Sequence, residues 1–225
     1  MSLVTIDLDA GELPHEPEAL LAAADRIHIA CGGHAGDEAS MRRTVRVAQA
    51  HGVEVGAHPS YPDRARFGRV SLALPAAEVA AAVAAQCGAL LAVARSLGVR
   101  VVSAKPHGAL YHDVARDRGL AAAVLDAIVD TLGPVELVTI PGALADLARG
   151  RGLVVQREGF ADRGLRPDGS LVPRGEAGAM IEDPGAAAVQ ARRLAASGTV
   201  DTLCVHGDGT NPLAIVRAVR RALAA

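Results

Sequence analysis

Short apolar runs rich in β-branched residues alternate along this chain with longer segments in which apolar residues recur at helical spacing. The short runs are nearly continuous in apolar residues, which is typical of strands in a parallel sheet that helices cover. Seven runs predict strands, which are LVTIDL (3–8), RIHIA (26–30), VEVGA (53–57), VRVVSA (99–104), VELVTI (135–140), GLVVQRE (152–158) and DTLCVH (201–206).

The longer segments predict helices that connect these strands. Asp37 is a plausible N-cap for one of them, and Pro75 opens another, where the fixed φ of proline suits the first turn. The predicted helices are DEASMRRTVRVAQAH (37–51), PAAEVAAAVAAQCGALLAVARSL (75–97), LAAAVLDAIVDTL (120–132), PGAAAVQARRLAAS (184–197) and NPLAIVRAVRRALA (211–224).

This alternation predicts an α/β fold. Seven strands spread evenly along one chain favour a single distorted (β/α) TIM-like barrel over residues 1–225, rather than a doubly wound sheet. No internal repeat and no low-complexity linker marks a domain boundary. In such a barrel the C-terminal ends of all the strands face one mouth, where catalytic side chains converge.

Composition narrows the class of protein. The formal net charge is −2 and no basic run is interleaved with aromatic residues, so nucleic acid is not an expected partner. The N-terminal segment does not resemble a signal peptide, and segment 75–97 carries Glu78 and Arg95, unlike a membrane span. Three widely spaced cysteines predict no disulfide framework. We expect a cytoplasmic protein without a membrane partner, for which a homo-oligomer is one possible state.

Ionisable residues follow six of the seven predicted strands, which solubility alone does not explain. Glycines beside them allow the backbone to approach a ligand closely. The six segments are DLDAGE (7–12), CGGHAGD (31–37), HPSYPDRARFGR (58–69), KPHGALYHD (105–113), GFADRGLRPDGSLVPR (159–174) and HGDGTN (206–211).

Histidines are prominent in these segments. His28 and His51 lie inside a strand and a helix pattern, which favours a structural or solvent-facing position. Histidines and carboxylates together can bind a divalent metal, with Asp9, His34 and His58 as candidates, but spacings such as HxH or HExxH are absent and leave the metal undecided. We expect the site to be lined by the histidines that follow strands in Gly- or Pro-flanked loops, which are His34, His58, His107 and His206.

Lys105 is the only lysine among 23 lysines and arginines. A compact ammonium does chemistry that a planar guanidinium does not, so either a catalytic role or chance survival explains it. Because Pro106 follows it, no GxxxxGK[ST] phosphate loop exists, and GxSxG and GxGxxG are absent too. The aromatic residues fall in predicted loops near the site, which favours shaped pockets over core filling; they are Tyr61, Phe67, Tyr111 and Phe160.

Six motifs in order resemble the LamB/YcsF-like lactam-utilisation family, which includes the A subunits of 5-oxoprolinases: IACGGHAGD, VGAHPSYPDRARFGR, KPHGALYHD, FADRGLRPDGSLVPR, GAMIEDP and TLCVHGDG. The resemblance implies a barrel of the glycoside hydrolase/deacetylase type and ATP-dependent hydrolysis of 5-oxo-L-proline to L-glutamate. It also implies two partners, 5-oxoprolinase subunits B and C, and ATP, accompanied by Mg²⁺, as co-substrate of the complex. The chain departs from the family at DLDAGE, which is shortened, and at His112, Leu165 and Asn211.

This reaction needs a base, a cation and a clamp for the substrate carboxylate. Asp9 or His34 would activate water, Lys105 would stabilise charge on the oxyanion or phosphate, and Arg163 or Arg174 would form the bidentate clamp. The catalytic candidates are Asp9, His34, Lys105 and the proton-transfer residues His107 and His206, and the substrate-binding candidates are His58, Tyr111, Arg163, Arg174 and Asp208.

Two other functions fit the same residues. The first is a stand-alone metal-dependent hydrolase or deacetylase, which the barrel and its His- and Asp-rich mouth favour. The second is a non-catalytic subunit whose loops complete the site of a partner. The number of ionisable groups on one face favours an enzyme over a binding module.

Overall fold

The computed structural model describes residues 4–224, which form a closed barrel of seven parallel strands. Each strand pairs with its neighbour in sequence, and the first pairs with the last. The predicted seven-stranded β/α barrel is therefore confirmed; Leu3, in the first predicted strand, lies outside the described residues. The strands are β1 (Thr5–Ala10), β2 (Arg26–Ala30), β3 (Glu54–His58), β4 (Val101–Ala104), β5 (Glu136–Thr139), β6 (Val155–Phe160) and β7 (Thr202–His206).

Helices connect the strands on the outside of the barrel. The five predicted helices are present, and three short ones were not predicted; the one that follows β4 starts directly after His107 with no side-chain cap, so it lacks a sequence signal for its start. The helices are α1 (Glu18–Leu21), α2 (Glu38–His51), α3 (Ala76–Ser96), α4 (Gly108–Arg116), α5 (Arg118–Leu132), α6 (Ala143–Gly150), α7 (Pro184–Ala196) and α8 (Pro212–Ala224), with a 3-10 turn at Arg64–Arg66.

The layer between sheet and helices is apolar. In β1, Ile6 and Leu8 are buried in this layer and alternate with Asp7 and Asp9, whose side chains contact residues inside the barrel. This is the period of two that a strand imposes on its side chains. The same layer contains Ala, Val, Leu and Ile side chains from every strand and most helices. The apolar runs of the sequence therefore supply the outer face of the barrel.

Helix α3 is long and apolar enough to span a membrane by length and composition, which by itself is weak evidence. In the described structure it packs against α5 and the barrel, with Val79, Val83 and Leu90 buried. One face of the helix therefore packs into the apolar layer around the barrel.

The inside of the barrel is polar. Toward the N-terminal ends of the strands, Arg26 of β2 donates hydrogen bonds to Glu54 of β3 at 2.7 Å and to Glu136 of β5 at 2.8 Å. Arg26 is buried while the two glutamates reach solvent. These ion pairs close the end of the barrel that is opposite the candidate site.

Strand β6 begins at Val155, later than the predicted Gly152. Gly152 has a φ of 75° and belongs to the turn that ends α6, so extended backbone starts only after it. The strand then continues to Phe160, which is therefore not in a loop as predicted. Tyr111 is also not in a loop, because it lies on α4.

Candidate functional site

The ionisable residues at the strand ends meet at the C-terminal mouth of the barrel, as the fold predicts. They form three groups of contacts. These are the ammonium cluster (Asp7, Asp9, Lys105 and Glu158), the histidine cluster (Glu12, His34, His58 and His107) and the carboxylate–histidine pair (Asp162 and His206).

The ammonium cluster surrounds Lys105, which follows β4 and is buried. Its Nζ donates to Asp7 Oδ2 and Glu158 Oε1, both at 2.9 Å, and lies 2.5 Å from Asp9 Oδ1. Burial lowers the pKa of Lys105, but the carboxylates of Asp7 and Asp9 outweigh it and raise that pKa well above its ordinary value. The position therefore holds a permanent positive charge in a space that suits a compact ammonium.

Asp9 is the member of the ammonium cluster that also faces the histidines. Its Oδ2 lies 3.4 Å from Nε2 of His58. Burial raises the pKa of Asp9, but its contacts with His58 and Lys105 outweigh burial and hold that pKa well below its ordinary value. Asp9 is thus an ionised carboxylate shared between two groups.

Glu158 balances the cluster on the other side of Lys105. Burial raises the pKa of Glu158 to about 7, with Lys105 opposing and Asp7 and Asp9 adding to the rise. The hydroxyl of Tyr111 donates to Glu158 Oε2. Tyr111, a predicted substrate-binding residue, is therefore buried with its hydroxyl bound to a carboxylate of the protein.

His28 has a structural position, which is one of the two alternatives, structural or solvent-facing, that the sequence predicts for it. Its Nδ1 donates to Asp7 Oδ1 at 2.6 Å, and its Nε2 accepts from the Ser103 hydroxyl at 2.9 Å. Burial lowers the pKa of His28 to about 4, so the ring is neutral at physiological pH. His28 thereby orients Asp7 toward Lys105.

The histidine cluster gathers around one oxygen of Glu12. Glu12 Oε1 lies 2.9 Å from His34 Nε2, 3.3 Å from His107 Nδ1 and 3.8 Å from His58 Nε2. His58 Nε2 and His107 Nδ1 are themselves 2.9 Å apart. Four potential metal-ligand atoms, one from each residue, lie within 4.8 Å of one another.

Backbone carbonyls fix the tautomers of two of these rings. His58 Nδ1 donates to the carbonyl oxygen of Lys105 at 2.7 Å, and His107 Nε2 donates to that of Phe67 at 3.0 Å. In the neutral rings the other two nitrogens, His58 Nε2 and His107 Nδ1, therefore both carry lone pairs. When both rings are neutral, these two hydrogen-bond acceptors therefore face each other and the carboxylate of Glu12.

His34 lies flat on His107, with ring centroids 3.6 Å apart and an interplanar angle of 3°. Its Nε2 contacts Glu12, and its Nδ1 is buried with no hydrogen-bond partner among the described residues. Burial lowers the pKa of His34 to about 2, so the ring is neutral and its Nε2–H donates to Glu12.

The turn after β1 places Glu12 in this cluster. The carboxylate of Glu16 accepts hydrogen bonds from the backbone N–H groups of Gly11, Glu12 and Leu13. Gly11 has a φ of 72°, which the turn requires and which glycine tolerates. The shortened DLDAGE segment thus forms a compact turn that directs Glu12 into the mouth.

The carboxylate–histidine pair joins the ends of β6 and β7. Asp162 accepts from Nδ1 of His206 at 2.9 Å and from its backbone N–H at 2.7 Å. Nδ1 is therefore the protonated nitrogen, and Nε2 is left as a proton acceptor. The His206 ring also stacks on Phe160, with centroids 6.0 Å apart and planes at 17°. These contacts fix the orientation of a partly exposed imidazole.

Arginines occupy the rim of the mouth. Arg69 pairs with Asp208 at 2.5 Å and lies over the ring of Phe67, and Arg174 Nη1 is 3.7 Å from the same carboxylate. Arg163 is buried and donates to the carbonyl oxygens of Ala179 and Val172 instead of forming an ion pair. Of the two predicted clamp residues, Arg174 therefore has the more accessible guanidinium.

The sequence assigns no separate role to four residues of the site, although Glu12, Arg69 and Asp162 are among the ionisable residues that follow strands. Glu12 and Asp162 stood in the quoted motifs, but nothing in their spacing showed that they contact histidines from other strands. Glu158 was predicted to end a strand, and Arg69 lay in a loop. Asp37, Asp63 and Asp168, by contrast, accept local hydrogen bonds at a helix start or a turn.

Comparisons with known proteins agree first with the class of fold. A glycoside hydrolase family 18 chitinase from Pseudoalteromonas aurantia matches with a TM-score of 0.54 and 9% identity, covering 97% of this chain and 100% of that one. At this identity the match shows the fold alone. The chain is an α/β barrel of the type found in glycoside hydrolases.

Residues 11–225 match the LamB/YcsF family, and the chain belongs to it. It is 43% identical over 223 residues to the 5-oxoprolinase A subunit of Streptomyces avermitilis, covering 93% of this chain and 89% of that protein. The crystal structure of a lactam utilization protein from Thermus thermophilus matches with a TM-score of 0.89 and 37% identity, covering 98% and 96%. The family predicted from the six motifs is thus confirmed.

Proposed function

We propose that this chain is the A subunit of an ATP-dependent 5-oxoprolinase, which acts in the cytoplasm with subunits B and C and hydrolyses 5-oxo-L-proline to L-glutamate. The relative from Streptomyces avermitilis supports the substrate, because it is named as the A subunit of 5-oxoprolinase and aligns with 93% of this chain. The observation that carries the chemistry is the oriented imidazole of His206 at the mouth of the barrel.

The lactam amide is a weak electrophile because resonance stabilises it. Transfer of the γ-phosphoryl group of ATP to the ring carbonyl oxygen, with Mg²⁺ balancing the phosphate charge, produces ADP and an activated substrate. Water then adds to the former carbonyl carbon, the C–N bond of the ring breaks as the nitrogen takes a proton, and water releases the phosphate. ATP is a co-substrate of the complex, and this chain does not hold it by a GxxxxGK[ST] loop.

His206 is the proposed general base for the attacking water. Asp162 holds the proton on Nδ1 and stabilises the imidazolium that forms when Nε2 accepts a proton, which is the role of the carboxylate in Ser-His-Asp enzymes. Arg174 and Arg69 at the rim are proposed to bind the substrate carboxylate, in competition with Asp208. Lys105 is proposed to keep Asp9 ionised and in place.

The first test is reconstitution. Glutamate release from 5-oxo-L-proline with ATP is measured for this chain alone, for its two partner subunits, and for all three together. We expect release only from the complete mixture. No release from any mixture of folded subunits would contradict the proposed substrate.

The second test is Asp162→Asn in the complete mixture. Since the imidazole then loses its orienting carboxylate, we expect glutamate release to slow by roughly 10²–10⁴-fold with little change in KM. Asp168→Asn is the matched control, because Asp168 is exposed and bonds only to Ser170 in its own turn. Equal rates for both variants would contradict the proposed role of Asp162 and His206.

A second candidate function, the stand-alone metal-dependent hydrolase, is favoured by the three histidines around Glu12. For that function, this chain would hydrolyse an amide without ATP or partners, and a chelator would abolish the activity. Hydrolysis of 5-oxo-L-proline by the chain alone, measured in the same assay, distinguishes it from the 5-oxoprolinase complex.

A further inference from the structure

We propose that Glu12, His58 and His107 bind one divalent transition-metal ion of the zinc class at the mouth of the barrel. His34 acts as the residue that orients Glu12. This goes beyond the proposed function, because neither the lactam substrate nor ATP chemistry requires such an ion on this chain.

The spacing of the three donor atoms fits a metal. His58 Nε2 and His107 Nδ1 are 2.9 Å apart, and Glu12 Oε1 lies 3.3 Å from His107 Nδ1 and 3.8 Å from His58 Nε2. Ligand atoms about 2.0–2.1 Å from a tetrahedral zinc ion are about 3.3–3.4 Å apart, so the three atoms match one face of such a site. The rings of His58 and His107 meet at 86°, which lets both nitrogens point to a common centre.

The hydrogen bonds of the two rings favour a cation between them. Because Nδ1 of His58 and Nε2 of His107 donate to backbone carbonyls, the nitrogens that face each other at 2.9 Å each offer a lone pair when the rings are neutral. Two lone pairs at this distance repel each other unless a proton or a metal ion lies where both of them point. Carbonyl groups that bind the far nitrogen of a histidine are also the usual outer contacts of metal-binding imidazoles.

The burial of Glu12 leads to the same conclusion. Its side chain is 3% exposed, and among the described residues no lysine or arginine nitrogen lies within salt-bridge distance of it. A buried carboxylate of this kind is stable only with a positive partner or a bound proton. A divalent ion bound by Glu12, His58 and His107 supplies that partner.

His34 is assigned outside the set of ligands by its geometry. Its ring is parallel to that of His107 at 3.6 Å, so the in-plane direction of its Nε2 does not converge with that of His107 Nδ1. Nε2 instead donates to Glu12 Oε1 at 2.9 Å. Three protein ligands leave a coordination position for water, which is the usual arrangement of a catalytic rather than a structural zinc site.

The test measures metal binding by the isolated chain, without ATP, substrate or partner subunits. The purified protein is stripped with chelator, equilibrated with Zn²⁺ or Co²⁺, and desalted, and its metal content is determined by mass spectrometry. We expect one equivalent of ion, a visible d–d absorption band from Co²⁺ of low coordination number, and a raised Tm with either ion. These measurements on the unmodified chain do not depend on whether a variant folds.

Variants then locate the ion. We expect His107→Ala to weaken binding of Zn²⁺ by more than 100-fold, and His34→Ala to weaken it by roughly 10–100-fold, as loss of an outer contact does. His51→Ala is the matched control, because His51 lies on the surface of α2 and pairs with Glu18. Circular dichroism checks that each variant is folded.

Two outcomes would overturn the proposal. Folded wild-type protein that retains neither ion would mean that a shared proton, rather than a metal, joins His58 and His107. Retention of the ion by His107→Ala together with its loss from Cys204→Ser would place it instead among Asp9, Cys204 and His206, whose donor atoms also lie close together. Neither outcome bears on glutamate release by the reconstituted complex.

Discussion

The ammonium cluster and the histidine cluster lie side by side in one barrel and differ in the source of their positive charge. The first contains its own cation, because Lys105 is surrounded by three carboxylates. The second has a carboxylate and three imidazoles, and among the described residues no lysine or arginine nitrogen lies within salt-bridge distance of that carboxylate. In the ammonium cluster, residues of the chain itself therefore supply both the negative and the positive charge. In the histidine cluster, a bound proton or a ligand has to supply the positive charge. Asp9 contacts both and connects them.

The largest effect is expected when the cation of the ammonium cluster, Lys105, is removed. Lys105→Met removes the ammonium from between the buried carboxylates of Asp7 and Asp9, so we expect the free energy of unfolding to fall by about 3–5 kcal/mol in urea titrations. Arg192→Met on the exposed face of α7 is the control and is expected to change it by less than about 0.5 kcal/mol. A similar small change at Lys105 would mean that the cluster does not stabilise the fold.

The pH dependence of stability tests the protonation of Glu158 in the ammonium cluster. Glu158 has a folded-state pKa of about 7, above its ordinary 4.5, so the folded protein binds this proton more tightly than the unfolded chain does. Its contribution is complete below about pH 4.5 and falls by about 3 kcal/mol as the pH rises through 7.

Urea titrations of wild type and Glu158→Gln between pH 4.5 and 8 isolate this contribution. The amide does not titrate, so the excess stability of wild type over the variant should decline with rising pH. Other titrating groups, such as His28, are expected to change the free energy of unfolding of both proteins equally, so their contributions cancel in the difference. A constant difference across this range would show that Glu158 is ionised throughout.

The smallest expected effect tests the backbone that holds the histidine cluster. Gly108 follows His107 with a φ of 58°, and a Cβ there would lie 2.5 Å from the carbonyl oxygen of Gly68. We expect Gly108→Ala to cost about 1–3 kcal/mol of unfolding free energy and to weaken metal binding. At Gly150, which ends α6, nothing lies within 4 Å of a Cβ. Gly150→Ala should therefore be neutral or slightly stabilising, and equal losses in both variants would argue against a role for the tight approach.

Local sequence pattern was sufficient to predict the barrel. The strands of a parallel sheet buried on one face by helices are continuous apolar runs, and the ends of those runs marked the mouth correctly. The errors occurred where local signals are weak. Helix α4 has no capping side chain at its start, and β6 starts late because a glycine turn comes first.

Contacts inside the site were harder to predict because they join residues far apart in sequence. The uniqueness of Lys105 showed that the position is special, but not that Glu158, 53 residues further on, would bind its ammonium. The metal candidates Asp9, His34 and His58 were chosen by residue type. The structure brings His34 and His58 together with Glu12 and His107, and Asp9 lies beside His58. The sequence did not indicate Glu12 and His107 as metal candidates, and their directions are set by the turn after β1 and by the carbonyl of Phe67.

The closure of the sheet between β1 and β7 has a consequence for how the protein is made. Asp9 is in register with His206, and the backbone bond from Thr5 to Asp201 joins positions 196 residues apart. Such long-range pairing forms late in folding, after the loop-closure entropy of nearly the whole chain has been lost. During synthesis on the ribosome, the first strand therefore stays unpaired on one edge until the last one emerges. An incomplete chain would thus lack both the closed sheet and the imidazole of the proposed base, so that it has no partial activity.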